Sequence, residues 1–247
     1  NPWTFLVDGT SRAAIEAALF SLIEKGDKVL VLVFGRFGHL LTEIAHRAGA
    51  EVIPVHKEWG EVFSAEEVAE ALATHRPKML ATCQGDTSTT MNQPLEFIGR
   101  LCREHGVISY VDATASIAGN PLPIDEWQLD ACTIGLQKCL GGPSGSGPIT
   151  ISDPVAALIK ERWHVEKGIE PPAFVPGKAS RIASNYFDLA MVMAYWSPQR
   201  LNHHTEATSM LYCARECARC VLEEGLAKAQ QRHAVAGEAM VAGLRAM

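Results

Sequence analysis

KVLVLVFGRFGHLLTEIAHRAGAEVIPV, residues 28–55, contains a predicted strand, a helix and a second strand in succession. The first run, Lys28–Phe34, is apolar after its lysine, which is typical of a strand buried on both faces. Arg36–Ala48 has helical periodicity and is followed by Gly49, a common residue at helix ends. Glu51–Val55 forms the next predicted strand. Two strands with a helix between them predict a parallel pair joined by a crossover connection.

The same alternation continues through the first 150 residues. Further strands are predicted at Thr4–Val7, Lys78–Cys83, Val107–Asp112, Asp130–Ile134 and Pro148–Ser152. Further helices are predicted at Ser11–Lys25 and from Pro94 to His105. Another helix is predicted to begin after a capping box formed by Ser64 and Glu67. Beyond Pro154 the pattern is mostly helical, apart from a polar, proline-rich loop at Glu166–Ser180. The chain is therefore predicted to adopt an α/β fold with a mostly parallel sheet and helices on both faces.

Charge and composition disfavour several classes of protein. The 22 Lys and Arg residues against 28 Asp and Glu residues give a net charge of −6 with no basic block, which disfavours nucleic acid as a partner. The longest uninterrupted apolar run, Val29–Phe34, is far shorter than the roughly 20 residues of a transmembrane helix, so no membrane partner is expected. Seven scattered cysteines, an odd number, are typical of reduced thiols and predict a cytoplasmic location.

Small polar residues follow the predicted strands, at the positions where ligands bind in α/β proteins. Gly9-Thr10-Ser11 joins a strand to a helix, where it is either a phosphate site or an ordinary helix cap. Asp112 ends an apolar strand, so its carboxylate needs a backbone donor, an arginine or a protonated ring nitrogen as its partner. Lys138 leaves another apolar strand before the glycine-rich stretch Gly141–Gly147, where it is either an exposed lysine or a reactive one.

Together these residues meet the needs of one cofactor. Pyridoxal phosphate requires a lysine for covalent attachment, a carboxylate at its ring nitrogen, a phosphate-binding turn and an aromatic ring for stacking. The four features are supplied by Lys138, Asp112, the turn Gly9-Thr10-Ser11 and Phe37. Pyridoxal 5′-phosphate is therefore the predicted cofactor.

Six segments carry a resemblance to a known family. They are Val7–Arg12, Val33–Gly38, Gln84–Thr90, Val111–Ser116, Gly135–Pro143 and Leu201–Thr208. Over essentially its whole length the chain resembles the class V aminotransferases, pyridoxal-phosphate enzymes of fold type I, and among them the alanine–glyoxylate and ureidoglycine–glyoxylate branches. The segments QGDTSTT (84–90) and NHHTEAT (202–208) are similar to the ureidoglycine branch.

The resemblance implies a role for each matching residue. Lys138 would hold the cofactor covalently and move the proton, and Asp112 would contact the ring nitrogen. Phe37 would stack on the cofactor ring, Thr114 would lie beneath the ring, and Thr87 would contact the ring hydroxyl. The cofactor phosphate would be bound by Thr10, Ser11, the Arg12 backbone and Gln137. Phe37 stands where the alanine–glyoxylate enzymes carry Trp, and an aromatic ring is retained.

The resemblance also implies a homodimer with shared active sites. Thr205 would reach the cofactor of the neighbouring subunit, and Asn202 would reach its substrate, where the alanine–glyoxylate enzymes carry Tyr. Residues 1–224 would form the cofactor-binding large domain, incomplete at its N-terminus, and residues 225–247 would begin a C-terminal small domain. An N-terminal arm and most of the small domain, with the arginine that binds the substrate carboxylate, would then lie outside the 247 residues.

The activity that the resemblance implies is transamination between (S)-ureidoglycine and glyoxylate, giving glycine and oxalurate in purine (allantoin) catabolism. Two alternatives stay open: alanine– or serine–glyoxylate transamination, and an inactive fragment that only forms oligomers. A cysteine desulfurase is disfavoured because no cysteine lies in a clearly electropositive loop.

Two further motifs are not assigned to a site. Cys213, Cys217 and Cys220 have helical spacing and are expected to be buried thiols on the core face of a helix. The adjacent pair His203-His204 points in divergent directions and has no cysteine or carboxylate at a recognised metal-binding spacing. No metal site is therefore predicted.

Overall fold

The computed structural model describes residues 3–247 and contains nine strands and eight helices in that range. The strands are β1 (Trp3–Asp8), β2 (Lys28–Val33), β3 (Glu51–His56), β4 (Met79–Cys83), β5 (Gly85–Asp86), β6 (Met91–Asn92), β7 (Ile108–Asp112), β8 (Ala131–Thr133) and β9 (Ser146–Ile151). The helices are α1 (Ser11–Leu22), α2 (Arg36–Arg47), α3 (Ala65–His75), α4 (Ile98–Glu104), α5 (Asp153–Glu161), α6 (Leu189–Trp196), α7 (Thr208–Glu224) and α8 (Leu226–Arg245).

Seven strands form one sheet in the order β1-β9-β8-β7-β4-β2-β3. The pairs from β8 to β3 are parallel, whereas β9 runs antiparallel to both of its neighbours. All five residues of β4 are buried, and so are the five residues of β2 that follow Lys28. The predicted α/β fold with a mostly parallel sheet is confirmed. Its C-terminal strand ends lie along one edge, where the candidate site residues follow.

Several element boundaries differ from the prediction. Helix α1 ends at Leu22 because Ile23 is extended and buried, so the chain has left the helix before Lys25. Helix α4 begins at Ile98, four residues after Pro94, because the intervening residues form a turn. The short hairpin β5–β6 was not predicted, since two-residue strands leave no periodic pattern.

The capping box before α3 is confirmed. The Ser64 hydroxyl accepts a hydrogen bond from the Glu67 amide at 3.3 Å, and a Glu67 carboxylate oxygen accepts one from the Ser64 amide at 2.9 Å. The predicted loop Glu166–Ser180 is also confirmed, because it contains neither helix nor strand.

Helix α7 corrects one expectation about the cysteines. Cys217 is buried, but Cys213 is half-buried and Cys220 is exposed. The predicted burial of all three was wrong because α7 lies at the surface of the molecule, with only Cys217 facing inward among its described residues. Within residues 3–247, no helix has the length and apolar character needed to cross a membrane.

Candidate active site

A cavity of about 260 Å³ opens at the C-terminal edge of the sheet. It is lined by Thr10, Ser11, Arg12, Ile15, Phe37, Leu40, Gly85, Thr87, Asp112, Thr114, Ala115, Gln137 and Lys138. The volume lies just below the range of about 300–1,000 Å³ that is usual for small-molecule sites. Nine predicted site residues from five separate segments of the chain therefore meet at one place.

One wall of the cavity is the N-terminus of α1. Gly9 has a φ of +115°, which only glycine adopts readily, and a Cβ there would lie 2.8 Å from the Cβ of Ala13. The Thr10 side chain makes no capping hydrogen bond to α1, so the interpretation as an ordinary side-chain cap is wrong. Thr10 lines the cavity together with the positive end of the helix dipole. That arrangement favours binding of an anion such as phosphate.

Gln137 completes this wall. Its amide nitrogen donates a hydrogen bond to the Ser11 hydroxyl at 2.9 Å, and its Oε1 atom is buried without a partner. A Cβ on Gly135 would lie 2.7 Å from that Oε1 atom and 2.8 Å from a methyl carbon of Thr114. Glycine at position 135 therefore leaves the room in which these polar side chains line the cavity.

Asp112 lies at the end of β7 with its side chain buried at the cavity. One carboxylate oxygen accepts a hydrogen bond from the Thr114 amide at 2.9 Å, so a backbone donor is one of its partners. Within residues 3–247 it forms no ion pair with a lysine, arginine or histidine. Burial, with a smaller contribution from the charge of Asp86, raises the pKa of Asp112. A cationic ligand group in the cavity would offset that desolvation.

Asp86 is a site residue that sequence reasoning missed. It is buried, and its Oδ2 atom accepts a hydrogen bond from the Phe37 amide at 2.8 Å. Its Oδ1 atom accepts bonds from the Ser88 amide at 2.9 Å and the Ser88 hydroxyl at 2.6 Å. A Cβ on Gly35 would lie 2.4 Å from the Asp86 carboxyl carbon, so this contact also requires glycine. The carboxylate thereby fixes the start of α2, where Phe37 faces the cavity; the available signal was a buried charge just after β4.

Lys138 lies at the mouth of the cavity, in the turn after β8. Lys138 is exposed, which agrees with its interpretation as a surface lysine. It also lines the cavity, which its interpretation as a reactive lysine requires. The Gly141 amide donates to the Lys138 carbonyl at 2.9 Å, which holds the turn. Thr114 lines the same cavity, and its hydroxyl oxygen is buried without a hydrogen-bond partner.

Asn202 and Thr205 are the two predicted site residues that do not line this cavity. Both are exposed, in the segment between α6 and α7. A role for them at the site of a neighbouring subunit therefore stays a prediction.

The model of one protein family, Aminotransferase class-V, matches residues 3–247. The chain belongs to the class-V aminotransferases. Membership of this family implies pyridoxal 5′-phosphate as the cofactor. The predicted family and cofactor are thus confirmed.

Relatives within the family are similar along most or all of the chain. The (S)-ureidoglycine–glyoxylate transaminase of Bacillus subtilis (strain 168) is 48% identical over 100% of this chain and 60% of its own length. The alanine–glyoxylate aminotransferase of Drosophila melanogaster is 35% identical over 94% of this chain and 56% of its own length. The crystal structure of the ureidoglycine–glyoxylate aminotransferase from Bacillus subtilis superposes with a TM-score of 0.91 at 46% identity, covering 100% of this chain and 60% of that chain. The chain thus spans about 60% of the length of that curated relative.

The residues present fit this cofactor. A phosphate would meet the free N-terminus of α1, and a protonated ring nitrogen would meet the buried Asp112. The unpartnered oxygens of Thr114 and Gln137 lie in the same cavity and would gain donors there. Lys138 provides the amine that covalent attachment requires.

Proposed function

We propose that this protein transfers the amino group of (S)-ureidoglycine to glyoxylate, giving glycine and oxalurate, in the catabolism of purines by way of allantoin. The observation that carries the aminotransferase assignment is the meeting of Lys138, Asp112 and the α1 N-terminus in one cavity. The choice of donor is supported by the higher identity to the ureidoglycine relative, 48%, than to the alanine relative, 35%.

Lys138 is the proposed catalytic residue. When bound, pyridoxal phosphate supplies a carbonyl carbon that accepts the amine and a conjugated ring that stabilises negative charge on the substrate α-carbon. Lys138 Nζ would hold the cofactor between turnovers and, once freed by the amino donor, move a proton from that α-carbon. Its position at the cavity mouth supports this role, because the same amine must face both the cofactor and the entering substrate.

The other cavity residues would bind and orient. Asp112 would keep a proton at the ring nitrogen, because a buried carboxylate without a cation favours that charge. Phe37, held by Asp86, would cover one face of the ring, with Thr114 on the other face and Thr87 at the ring hydroxyl. The phosphate would be held at Thr10, Ser11, the Arg12 backbone and Gln137.

We also propose a homodimer in which Asn202 and Thr205 complete the site of the partner subunit. Their exposure and their absence from the cavity of their own subunit support this. Asn202 offers two hydrogen-bond donors and one acceptor on a short side chain, which suits a ureido group. The methyl group of alanine would leave those polar atoms without partners, at a cost of roughly 1–3 kcal/mol.

The domain division and the location are part of the same proposal. The break between α7 and α8 at Gly225, where φ is +88°, supports a boundary between residues 224 and 225.

The seven cysteines are free thiols, which supports a reducing compartment such as the cytoplasm.

The test is an assay of the holoenzyme with glyoxylate and either (S)-ureidoglycine or alanine as the amino donor. We expect kcat/KM for ureidoglycine to exceed that for alanine by about tenfold or more. Asn202→Ala should lower kcat/KM for ureidoglycine by about tenfold and leave alanine little changed. Gln231→Ala, which removes an exposed amide on α8, is the matched control. A preference for alanine would favour alanine–glyoxylate transamination, and equal losses with both donors would assign Asn202 to the cofactor alone.

A further inference from the structure

Three side chains from distant parts of the chain converge beside the α1 N-terminus. Asp8 is the last residue of β1, whereas His204 and Glu206 belong to the segment between α6 and α7. His204 Nε2 lies 3.2 Å from Glu206 Oε2 and 3.6 Å from Asp8 Oδ2. One ligand atom from each residue lies within 4.8 Å of the other two. None of the three side chains lines the proposed cofactor cavity.

The cluster is largely buried, and one polar atom in each of its three side chains lacks a hydrogen-bond partner. The side chains of His204, Glu206 and Asp8 are 9%, 10% and 13% exposed. Asp8 Oδ1, His204 Nε2 and Glu206 Oε2 have no hydrogen bond within residues 3–247. In the same range neither carboxylate pairs with a lysine or an arginine. Two largely buried carboxylates therefore face one ring nitrogen with no lysine or arginine between them, an arrangement that a protonated imidazole or a bound cation would stabilise.

A chain of hydrogen bonds sets the tautomer of His204. His203 Nε2 lies 3.3 Å from the carbonyl oxygen of Asn185, which can only accept, so that nitrogen carries a proton. In the neutral ring, His203 Nδ1 then accepts from His204 Nδ1 at 2.8 Å. The remaining His204 nitrogen, Nε2, faces the two carboxylates and, when the ring is neutral, can coordinate a cation through its lone pair. Metal-binding histidines are oriented in this way by a hydrogen bond at the other ring nitrogen.

We propose that Asp8, His204 and Glu206 bind a divalent metal cation of the zinc class. In a tetrahedral zinc site with bonds of about 2.0–2.2 Å, ligand atoms lie roughly 3.3–3.6 Å apart, close to the two distances observed here. Two carboxylates and a neutral imidazole balance a 2+ charge. The imidazole favours zinc over magnesium or calcium, which prefer oxygen ligands alone. A fourth position would remain for water or for the hydroxyl of Tyr186, which faces Asp8.

The proposed ion would be structural. It would tie residues 201–207, the segment with Asn202 and Thr205, to the end of β1. Gly9-Thr10-Ser11, at the N-terminus of α1, follows Asp8 directly in sequence. The ion would therefore set the position of residues 201–207 relative to the α1 N-terminus. The rings of Tyr186 and Tyr195 pack on His204 with centroids 5.7 Å and 4.8 Å away, which fixes the orientation of the imidazole.

The test measures zinc in the holoenzyme after equilibrium dialysis against ZnCl₂ and then against metal-free buffer. We expect about one zinc per subunit in the wild type, and a loss of roughly tenfold or more in His204→Gln and Glu206→Gln, since each removes one of three ligands. His46→Gln, which removes an exposed imidazole on α2, is the matched control and should keep the wild-type zinc content. MgCl₂ in place of ZnCl₂ should leave no retained metal.

Two further readouts separate this site from the free cysteines and from misfolding. X-ray absorption at the zinc edge should show only nitrogen and oxygen neighbours. Zinc should raise the Tm of the wild type and of His46→Gln but not that of the two site variants. Zinc content below a tenth of an equivalent in the wild type would overturn the proposal. So would a sulfur shell, or equal zinc content in the wild type and Glu206→Gln.

Discussion

Two buried carboxylates, Asp86 and Asp112, lie near the ends of the neighbouring strands β4 and β7. They differ in how far the protein itself satisfies them with hydrogen bonds. Asp86 accepts three hydrogen bonds, from Phe37 and Ser88, and so is satisfied by the protein itself. Asp112 accepts one, from the Thr114 amide, and has no cationic partner within residues 3–247. The first carboxylate therefore positions a neighbour, whereas the second remains available to a ligand.

Replacement of Asp112 by Asn should separate cofactor attachment from catalysis. The amide keeps an oxygen to accept the Thr114 amide, so we expect borohydride reduction and peptide mapping still to find the cofactor on Lys138. Without a carboxylate the ring nitrogen loses its counter-charge, and kcat should fall by about 10²-fold or more. Lys25→Ala, an exposed lysine, should leave both the label and kcat unchanged. A label on another lysine, or an unchanged kcat in Asp112→Asn, would contradict these roles.

The helix N-termini differ in how their backbone amides are satisfied. Helix α3 is closed by its capping box, and α6 is capped by Asp188, which accepts from the Ala190 and Met191 amides at 2.9 Å and 3.1 Å. At α1 the Thr10 side chain makes no such bond. Helices α4 and α7 also lack a side-chain cap, but the uncapped N-terminus of α1 lies at the cavity, where its amides are available to a ligand.

A matched pair of hydroxyl deletions tests this difference. Ser64→Ala should lower the free energy of unfolding by about 1 kcal/mol with or without cofactor, because it removes a cap. Thr10→Ala should change the stability of the cofactor-free protein by less than about 0.5 kcal/mol and should weaken cofactor binding instead. Urea unfolding and cofactor titration of both variants measure these effects. An equal loss of stability in both cofactor-free variants would mean that the Thr10 hydroxyl stabilises the fold and not the bound cofactor.

The cap of α6 predicts a pH dependence of stability. Burial raises the pKa of Asp188 from its ordinary value of 3.8 to about 6, although hydrogen bonds from Met191 and Ala190 and the charges of Arg162 and Arg181 act in the opposite direction. Between about pH 4 and pH 6 the folded protein therefore binds more protons than the unfolded chain, and stability falls as the pH rises through this window. The contribution of Asp188 is fully present below about pH 4.

Asp188→Asn should remove this dependence and keep the cap. We expect the variant to gain stability relative to the wild type as the pH rises from 4 to 6, by up to about 2–3 kcal/mol at 1.36 kcal/mol for each pKa unit. Urea unfolding across this pH range measures the difference. A stability difference that does not vary with pH would show that the Asp188 carboxyl titrates at its ordinary value.

At the scale of the whole molecule, the segment 201–207 lies outside the cavity lining but contacts the end of β1 beside the cavity. Asn202 and Thr205 are exposed there, and large apolar side chains on the neighbouring helices are exposed as well, among them Tyr212 on α7 at 66%. Exposed apolar surface of this kind marks contact with another protein surface. Both features agree with the proposed dimer.

Mixed dimers test whether the sites are shared. Consider a dimer of one Lys138→Ala subunit and one Asn202→Ala subunit. If each active site takes Lys138 from one subunit and Asn202 from the other, both defects fall in one site and the second site is intact. We expect such mixtures to recover up to about half of the wild-type activity per dimer with ureidoglycine, although each parent variant is impaired. Co-expression with two affinity tags isolates the mixed dimer. Activity no higher than that of the parents would show that Asn202 serves its own subunit.

The local sequence determined the fold class, the starts of α1, α2 and α3, and the residues that follow the strands. Lys28–Phe34 reads as a buried strand and Ser64 with Glu67 as a cap because both depend on neighbours in sequence. Asp112 and Lys138 were predicted as site residues for the same reason, since a charged residue at the end of an apolar strand or in the turn after it can be recognised without knowing its neighbours in space. The roles of the site residues and the dimer remain predictions.

Tertiary structure alone decided what depends on packing between distant segments. Only the folded sheet brings Asp8 to His204, and only the turn after β4 brings Asp86 to the Phe37 amide. The exposure of Cys220 and the antiparallel direction of β9 were also decided by tertiary structure. Such contacts leave no periodic signal, because hydrophobic pattern reports which face of an element is buried and not which element covers it.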